Sequence, residues 1–555
     1  MKKILLLVVI LCAAFSAGAQ NFYLKATGRN EAETKIIDSV SYKNPNPNAR
    51  AVTDEANALS AALYREGYLE NRIADHIKVN DSVFNYMFYV GNKTNTLYIY
   101  TGNLSESQKL LLEMKPENDT LAIPFNTAEE FMNGNLGLLE QKGYSFSALR
   151  LTGYQKKGNA LYAALLLETS KKRTLNNLVL EGYDKFPEGI RRNILRQYRG
   201  KTFNQKMLEK VYSDFNALQF VSQPRYPEIL FKEDSTTVYV YLEKAHPNTF
   251  DGFIGFTNDD ENKIRFNGYT EILLNNILNS GEKFNLYWKS NGNGQTTFNT
   301  SLELPYIFKT PLGVKGSLQI FKQDSTFQNT VSDINLGYYF NYNSKVFLGY
   351  RKTQSTDIQN LDSSTLSDFS NTFYTASYFF TRYGGNRLFP VKSVLEFAGG
   401  TGSRNNKGNN TGQYFVQAKL SHNFYLNETN IINLKSENYY LKSENYIVNE
   451  LYRFGGINSI RGFNENSLQA NIYSAILSEY RYMLSPGLYA HTITDYGYYQ
   501  DQANNVRQNL LGIGFGLGLY AGGGLFNIVY ANGSTKGQTI KLSNSIVHIS
   551  YKASF

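Results

Sequence analysis

The sequence predicts a row of small α+β modules followed by an all-β transmembrane barrel of 16 antiparallel strands. Three observations lead to this fold class: an apolar N-terminal segment of export type, a front half that repeats one α+β pattern, and a back half of alternating strands. With 43 Tyr, 36 Phe and 42% hydrophobic residues among 555, the chain is too apolar and aromatic for disorder.

The N-terminus has the pattern of a secretory signal peptide over residues 1–19. Two lysines precede an apolar run at 4–14, and Ala-Gly-Ala at 17–19 provides a cleavage site. Cleavage there would remove Cys12, the single cysteine, so we expect no disulfide and no thiolate chemistry in the mature protein. Because no later segment has the roughly 18 apolar residues of a membrane helix, only strands are left to cross a membrane.

The front half repeats a unit of strand, helix, helix, strand and strand. Three short strand patterns end at Gly28, Gly102 and Gly182, and a helical pattern follows each at a similar distance. Thr53, Thr127 and Asn204 are the expected N-caps of these helices, and Thr127 also has the capping-box spacing to Glu130. The expected domain boundaries are the signal peptide at 1–19, modules at 20–93, 94–170 and 171–246, and the barrel at 247–555.

Small α+β modules of this kind have a sheet with a free edge. Such an edge can accept an extended peptide as a further strand, because main-chain hydrogen bonds give affinity without sequence choice. The alternative is that the modules act only as spacers.

Helical spacing fades after Pro247, and short alternating runs separated by Asn, Gly, Asp and Ser take over. In the last strand, apolar residues that include Tyr551 alternate with polar ones, and the chain stops at Phe555. A soluble β-sandwich would alternate in the same way. The length of the region and its many aromatic residues near strand ends favour a membrane barrel, with Tyr551 and Phe555 as its terminal signal.

The segment 454–463 resembles the signature of the BamA, TamA and FhaC superfamily of outer-membrane barrels preceded by POTRA modules. The family carries an (I/V)-R-G-(F/Y) tetrapeptide on a long loop that folds back into the barrel. The matching residues here are Ile460, Arg461, Gly462 and Phe463.

Further downstream, Glu479 and Asp495 stand where the family places a Glu and the Asp of a D-x-G motif. The resemblance covers nearly the whole mature chain. It implies that the three front repeats are POTRA modules and that the protein assembles other barrels or secretes polypeptides.

A physical argument supports the same constellation. An arginine carried into a barrel lumen needs compensation, since an unpaired buried charge is costly. Glu479 and Asp495 are the acceptors we expect for Arg461, and a bidentate contact would fix the direction of the loop. We call residues 460–463 the latch. Gly455, Gly456 and Gly462 would let its backbone turn tightly and approach the wall.

The sequence contains no recognisable catalytic chemistry. None of the five histidines has a neighbour at metal-ligand spacing, and no nucleophile elbow, P-loop or H-E-x-x-H motif occurs. We therefore expect no enzymatic activity and name no catalytic residue, metal or cofactor. The formal net charge of +9 is mild for this length, so nucleic acid is not an expected partner.

The expected function is that of an outer-membrane assembly factor with its POTRA modules in the periplasm. Its partners would be unfolded outer-membrane or secreted polypeptides, outer-membrane lipid, and accessory periplasmic or lipoprotein subunits. The modules would capture clients on their edges, and a seam between the first strand, near 250–256, and the last, near 546–555, would template them. The alternatives are a two-partner-type secretion pore and a structural or adhesive surface barrel.

Overall fold

The computed structural model describes residues 21–245, 247–258, 264–291, 294–359, 365–384, 386, 388–521, 523–535 and 545–554. The predicted signal peptide and Phe555 lie outside these residues. Within the described ranges, no helix is both long and apolar enough to cross a membrane. The chain divides into two compact units, one of residues up to 174 with 202–207, and one of residues 175–201 with 208–555.

The first module has the expected order of one strand, two helices and two strands. Its elements are β1 (Tyr23–Gly28), α1 (Glu31–Asp38), α2 (Ala49–Arg65), β2 (Arg72–Lys78) and β3 (Val83–Tyr89). β3 lies in the middle of the sheet, parallel to β1 and antiparallel to β2. Thr53 does not cap α2: the cap is Asn48, whose side chain accepts a hydrogen bond from the Ala51 N–H. The prediction was wrong because Thr53, one turn further on, faces Tyr86 and shares a hydrogen bond with its hydroxyl.

The second module adds a strand and a short helix to this plan. Its elements are β4 (Thr96–Tyr100), α3 (Glu106–Leu111), β5 (Thr120–Pro124), α4 (Ala128–Gln141), β6 (Ala148–Lys157) and β7 (Ala160–Glu168), in the sheet order β5-β4-β7-β6. Thr127 stands at the predicted N-cap position of α4, but its side chain makes no capping hydrogen bond, because its hydroxyl donates to the Pro124 carbonyl instead. The capping box of this module belongs to α3, between Ser105 and Gln108.

The third module returns to the simpler plan. Its elements are β8 (Leu175–Glu181), α5 (Glu188–Tyr198), α6 (Gln205–Asn216), β9 (Val221–Ser222), β10 (Glu228–Phe231), β11 (Thr236–Tyr241) and β12 (Glu243–Lys244). Asn204 accepts a hydrogen bond from the Met207 N–H, which confirms it as the cap of α6. In all three modules the first strand pairs in parallel with the last long strand, and the long strand that precedes the last one lies at an edge.

The back half is a closed barrel of 16 strands, in which all described neighbours are antiparallel. Its strands are β13 (Thr249–Asn258), β14 (Ile264–Asn275), β15 (Lys283–Asn291), β16 (Thr296–Leu304), β17 (Leu312–Gln323), β18 (Phe327–Asn341), β19 (Ser344–Asp357), β20 (Phe369–Tyr383), β21 (Val391–Asn406), β22 (Asn409–Tyr425) and β23 (Asn430–Lys442), then β26 (Ile472–Ser485), β27 (Leu488–Asp501), β28 (Val506–Ala521), β29 (Gly524–Thr535) and β30 (Ser545–Ser554). Two short strands, β24 (Tyr452–Phe454) and β25 (Leu468–Ala470), form a separate hairpin in the connection between β23 and β26.

The outer surface of the barrel is apolar. On β28, Ile513, Phe515, Leu517 and Leu519 are all exposed, and glycines alternate with them on the inner side. β18 shows the same alternation, with exposed Ile334 and Leu336 on either side of an inward-facing Asn335. A sandwich would bury these side chains between two sheets, whereas a single closed sheet turns them outward. This surface is what a bilayer requires of a barrel wall, so the sandwich alternative is wrong.

Candidate functional site

The connection between β23 and β26, residues 443–471, folds into the barrel lumen. Its hairpin β24–β25 and the connection between these two strands carry apolar side chains that are fully buried, among them Phe454, Ile460 and Ala470. These side chains share a core with Tyr473 and Leu510 on the wall. The loop is therefore a packed part of the barrel interior.

Arg461 is enclosed by acceptors at the centre of this loop. Its Nε donates to Asp495 Oδ2 at 2.8 Å, and its Nη2 donates to Asp495 Oδ1 at 2.5 Å. Its backbone N–H donates to Asp495 Oδ2 as well, at 2.9 Å, while its Nη1 donates to Glu479. Asp495 is fully buried. The structure thus brings together the three charged residues of the predicted site in a bidentate arrangement that fixes the loop direction.

Glu479 has a second cationic partner that the sequence analysis missed. Arg481, two residues along on the same face of β26, binds Glu479 Oε2 through its Nε at 2.7 Å and its Nη2 at 2.6 Å. The spacing of two residues on a strand places both side chains on one side of the sheet, which is the signal that was available. The positive charges of Arg461 and Arg481 therefore compensate the negative charges of Glu479 and Asp495.

The latch backbone lies directly against glycines of the wall. A Cβ on Gly512 would collide with the Arg461 carbonyl oxygen, and a Cβ on Gly533 would collide with the Gly462 carbonyl. Gly497, two residues after Asp495, lies under the Ile460 side chain. These glycines, which come from β27, β28 and β29, form a flat strip where the loop rests. We call Gly497, Gly512 and Gly533 the glycine strip.

The predicted loop glycines have the conformations that tight turns require. Gly455, Gly456 and Gly462 have φ angles of +105°, +101° and +85°, in the region that L side chains rarely adopt. Phe463 is partly buried and packs against the same core as Phe454. The role of these residues as a functional latch remains a prediction.

A second buried ion pair holds the loop at another sector of the wall, three strands from β26. Arg404 on β21 and Glu450 on the loop pair with each other, and both are nearly inaccessible to solvent. Gln413 on β22 donates to Glu450 as well, at 2.8 Å. No motif marked this pair in the sequence, because the partners are distant in the chain and belong to no local pattern.

A third set of contacts crosses to the strands near the start of the barrel. Glu465, two residues after the latch, pairs with Lys289 and accepts a hydrogen bond from the Tyr287 hydroxyl at 3.0 Å, both on β15. Asn329 on β18 donates to the Asn449 carbonyl at 2.6 Å. The loop is thus tied to several sectors of the wall. It leaves a lumenal cavity of about 690 Å³ beside it, lined by residues such as Asn299, Lys315, Asp333 and Arg351.

The barrel closes through a short seam. Among the described residues, β13 and β30 share three register pairs, Thr249 with Ser554, Phe250 with Ala553, and Asp251 with Lys552. Every other described pair of neighbouring barrel strands shares at least eight, the minimum being that of β15 with β16. Tyr551 lies on β30 with its side chain exposed, whereas Phe555 lies outside the described residues.

Comparison with solved structures finds the same architecture elsewhere. CdiB from Acinetobacter baumannii is similar at 16% identity and a TM-score of 0.52, over 84% of this chain and 91% of that chain. CdiB from Escherichia coli is similar at 14% identity and a TM-score of 0.52, over 91% and 97%. BamA from Haemophilus ducreyi lacking POTRA domains 1–3 is similar at 14% identity and a TM-score of 0.45, over 82% and 98%. No family model and no curated protein matches the chain.

The structure is a closed antiparallel barrel of 16 strands, preceded in the chain by three α+β modules and holding an inward loop. The chain shares its fold with the two CdiB structures.

Proposed function

We propose that the protein inserts or assembles outer-membrane polypeptides, with the seam between β13 and β30 as the place where a client strand enters. The observation that carries this proposal is the three-pair seam in an otherwise fully paired barrel. Unpaired backbone amides are costly in a bilayer because no water reaches them. A client strand that arrives at an open seam satisfies them, so insertion proceeds without an energy source such as ATP.

In this proposal, the modules supply an earlier step on the periplasmic side. β2, β6 and β10 each lie at the edge of their sheet, with one described neighbour. Most side chains of β2 and of the outer half of β6 are exposed. Such edges accept an extended segment through main-chain hydrogen bonds. Unfolded polypeptides are accordingly the clients that we propose, with the barrel in the outer membrane and the modules in the periplasm.

A crosslink across the seam tests the proposal directly. Because Cys12 is the single cysteine, Phe250→Cys with Ala553→Cys can be oxidised without competing thiols in the mature chain. We expect the oxidised protein to lose insertion of a client barrel into proteoliposomes, and a reductant to restore it. The control is Leu336→Cys with Leu348→Cys, an outward-facing pair in the long β18–β19 ladder, which should leave insertion unchanged.

The same experiment distinguishes the secretion pore. A pore passes its substrate through the lumen, so the seam crosslink would leave transport intact and the lumenal cavity would conduct ions. Full activity of the oxidised Phe250→Cys, Ala553→Cys protein would therefore refute the seam mechanism and favour lumenal transport.

A further inference from the structure

Helix α5 and the three residues after it form the most basic short segment of the third module. Residues 188–201 contain four arginines and one lysine against a single carboxylate, a net charge of +4. The Glu188 carboxylate already forms an ion pair with Arg191, whose Nε is 2.6 Å from Glu188 Oε2. The remaining guanidinium groups, those of Arg192, Arg196 and Arg199, are exposed and make no hydrogen bond or ion pair within the part of the chain that the structure describes.

One face of α5 is fixed to the periplasmic rim of the barrel. Gly189 lies against Tyr306, in the turn between β16 and β17. Asn193 Nδ2 is 3.2 Å from each of the Lys309 and Thr310 carbonyl oxygens of this turn, and Gln197 Nε2 donates to the Phe340 carbonyl at 3.0 Å. Since positions 189, 193 and 197 are spaced by four, they form one stripe that faces the barrel.

The arginines lie on the outward side of that stripe. Ile190, Ile194 and Tyr198 follow the stripe by one residue and are buried, with Ile190 Cδ1 beside Gly281 in the turn between β14 and β15. Arg192 and Arg196 precede the stripe by one residue. They therefore lie about 100° round the helix from the stripe, in the direction away from Ile190, Ile194 and Tyr198.

The same module contacts a second turn of the barrel, because Phe220 makes a ring contact with Tyr342 between β18 and β19. Arg192 and Arg196 are exposed on the face of α5 that lies opposite its buried residues.

The rim beneath the arginines has the character of a membrane interface. Phe340, whose carbonyl holds Gln197, and Tyr338 are exposed on the outer face of β18, and Phe308 at the tip of the neighbouring turn is 90% exposed. Aromatic side chains of this kind mark the level at which the apolar band of a barrel ends and lipid headgroups begin. The unpaired guanidinium groups lie next to this level.

We propose that Arg192, Arg196 and Arg199 bind the phosphate headgroups of anionic phospholipids in the periplasmic leaflet. A guanidinium fork matches phosphate oxygens, and clustered arginines at an anionic membrane surface each add to the attraction. The contact would fix the third module on the bilayer beside the barrel rim. This inference rests on the membrane-embedded barrel of the proposed function, but it does not depend on what the seam does.

The test uses the full mature chain in nanodiscs that contain phosphatidylcholine and phosphatidylglycerol. Lys201→Cys, the only thiol in the mature chain, carries a fluorophore, and a nitroxide is placed on the headgroup of either lipid. We expect stronger quenching by labelled phosphatidylglycerol than by labelled phosphatidylcholine. Arg192→Gln, Arg196→Gln and Arg199→Gln together should abolish this preference, each arginine accounting for up to about fivefold.

The matched control removes three positive charges elsewhere, by Arg50→Gln, Arg65→Gln and Lys115→Gln, which are exposed residues of the first two modules. This control should keep the lipid preference. Equal quenching by both lipids in the parent, or an unchanged preference in the triple arginine variant, would overturn the proposal and leave the arginines to an acidic protein partner. Heat-modifiable migration on gels reports barrel insertion separately, so failure of the membrane-embedded barrel would be recognised as such.

Discussion

Arg461 is the residue on which the position of the inward loop depends most directly. Replacing it by Ala would leave the fully buried Asp495 without its bidentate partner, and breaking a buried pair costs about 3–5 kcal/mol. We expect Arg461→Ala to unfold at a lower temperature in detergent, as measured by the heat-modifiable gel shift. Arg507→Ala, which removes an exposed arginine of β28, should leave the transition unchanged. An Arg461→Ala barrel as stable as its parent would contradict the latch.

The glycine strip permits a second test at single-residue scale. A methyl group on Gly533 has no room beside the Gly462 carbonyl, so Gly533→Ala should displace the latch and cost about 1–3 kcal/mol. Gly316→Ala is the control, because a Cβ there meets nothing within 4 Å. Each variant adds one methyl group to a barrel strand, so only the surroundings of that methyl group differ. Equal melting temperatures for both would show that the loop does not rest on the strip.

Sequence reasoning at this scale succeeded where a motif fixed the partners and failed where distance along the chain hid them. Arg461, Glu479 and Asp495 could be grouped because the motif and the cost of a buried charge point to the same residues. Arg404 and Glu450 make an equally buried pair, but neither residue type nor spacing distinguishes them from many other charges. The glycine strip escaped notice because alternating glycines also suit an ordinary strand.

Among the elements, the packing of α5 against α6 in the third module contains a half-buried acid, Asp214. The Tyr198 hydroxyl donates to Asp214, and desolvation by burial raises the pKa of Asp214 above its usual value. The folded state therefore binds the carboxyl proton of Asp214 more tightly than the unfolded state does. Stability should fall as pH rises from about 4 through the raised pKa.

Asp214→Asn keeps an oxygen acceptor for Tyr198 and removes the charge. We expect the difference in unfolding temperature between pH 4 and pH 7 to be smaller in this variant than in the parent, as followed by the helical circular dichroism of the full chain. Asp184→Asn, at an exposed position of the same module, should behave like the parent. An unchanged pH profile in Asp214→Asn would argue against a half-buried carboxylate.

The helix N-caps show that a residue type suited to capping can use its side chain for a different hydrogen bond. Asn204 was predicted correctly as a cap: its Oδ1 accepts from the Met207 N–H, while its second partner, the Gln141 carbonyl, engages only its Nδ2. Thr53 and Thr127 are equally good caps by type. The Thr53 hydroxyl is engaged by a tertiary contact with Tyr86, and the Thr127 hydroxyl by a local bond to the Pro124 carbonyl, three residues earlier. The extra strand β5 of the second module was missed because its five residues contain too few alternations to be recognised.

For the whole molecule, the terminal signal yields a prediction that concerns biogenesis. Phe555, which lies outside the described residues, follows β30, whose exposed Val547, Ile549 and Tyr551 belong to the apolar outer surface. Deleting Phe555 should lower the amount of protein that reaches the outer membrane, as measured by surface labelling of cells. The control is Lys552→Gln. It keeps the length and register of the strand end and should insert normally. Normal surface levels without Phe555 would refute its role as a signal.

The overall architecture was predictable because its main determinants are periodic. A strand period of two over some 300 residues, with aromatic residues on one side, leaves few alternatives to a barrel. The route of the loop through the lumen follows from no such period. It required the family motif, and its contacts with β15 and β21 emerged from the three-dimensional structure alone.

The three pairs of the seam occupy one end of both strands, which leaves residues 252–258 of β13 and 545–551 of β30 without each other as partners. Seven residues of extended chain measure about 23 Å at about 3.3 Å per residue, close to the height of about 25 Å of the apolar band on such barrels. Under the proposed function, a client segment shorter than about seven residues would leave backbone amides unpaired in lipid. The unpaired length of the two strands would then set a minimum length for the segments that the seam retains.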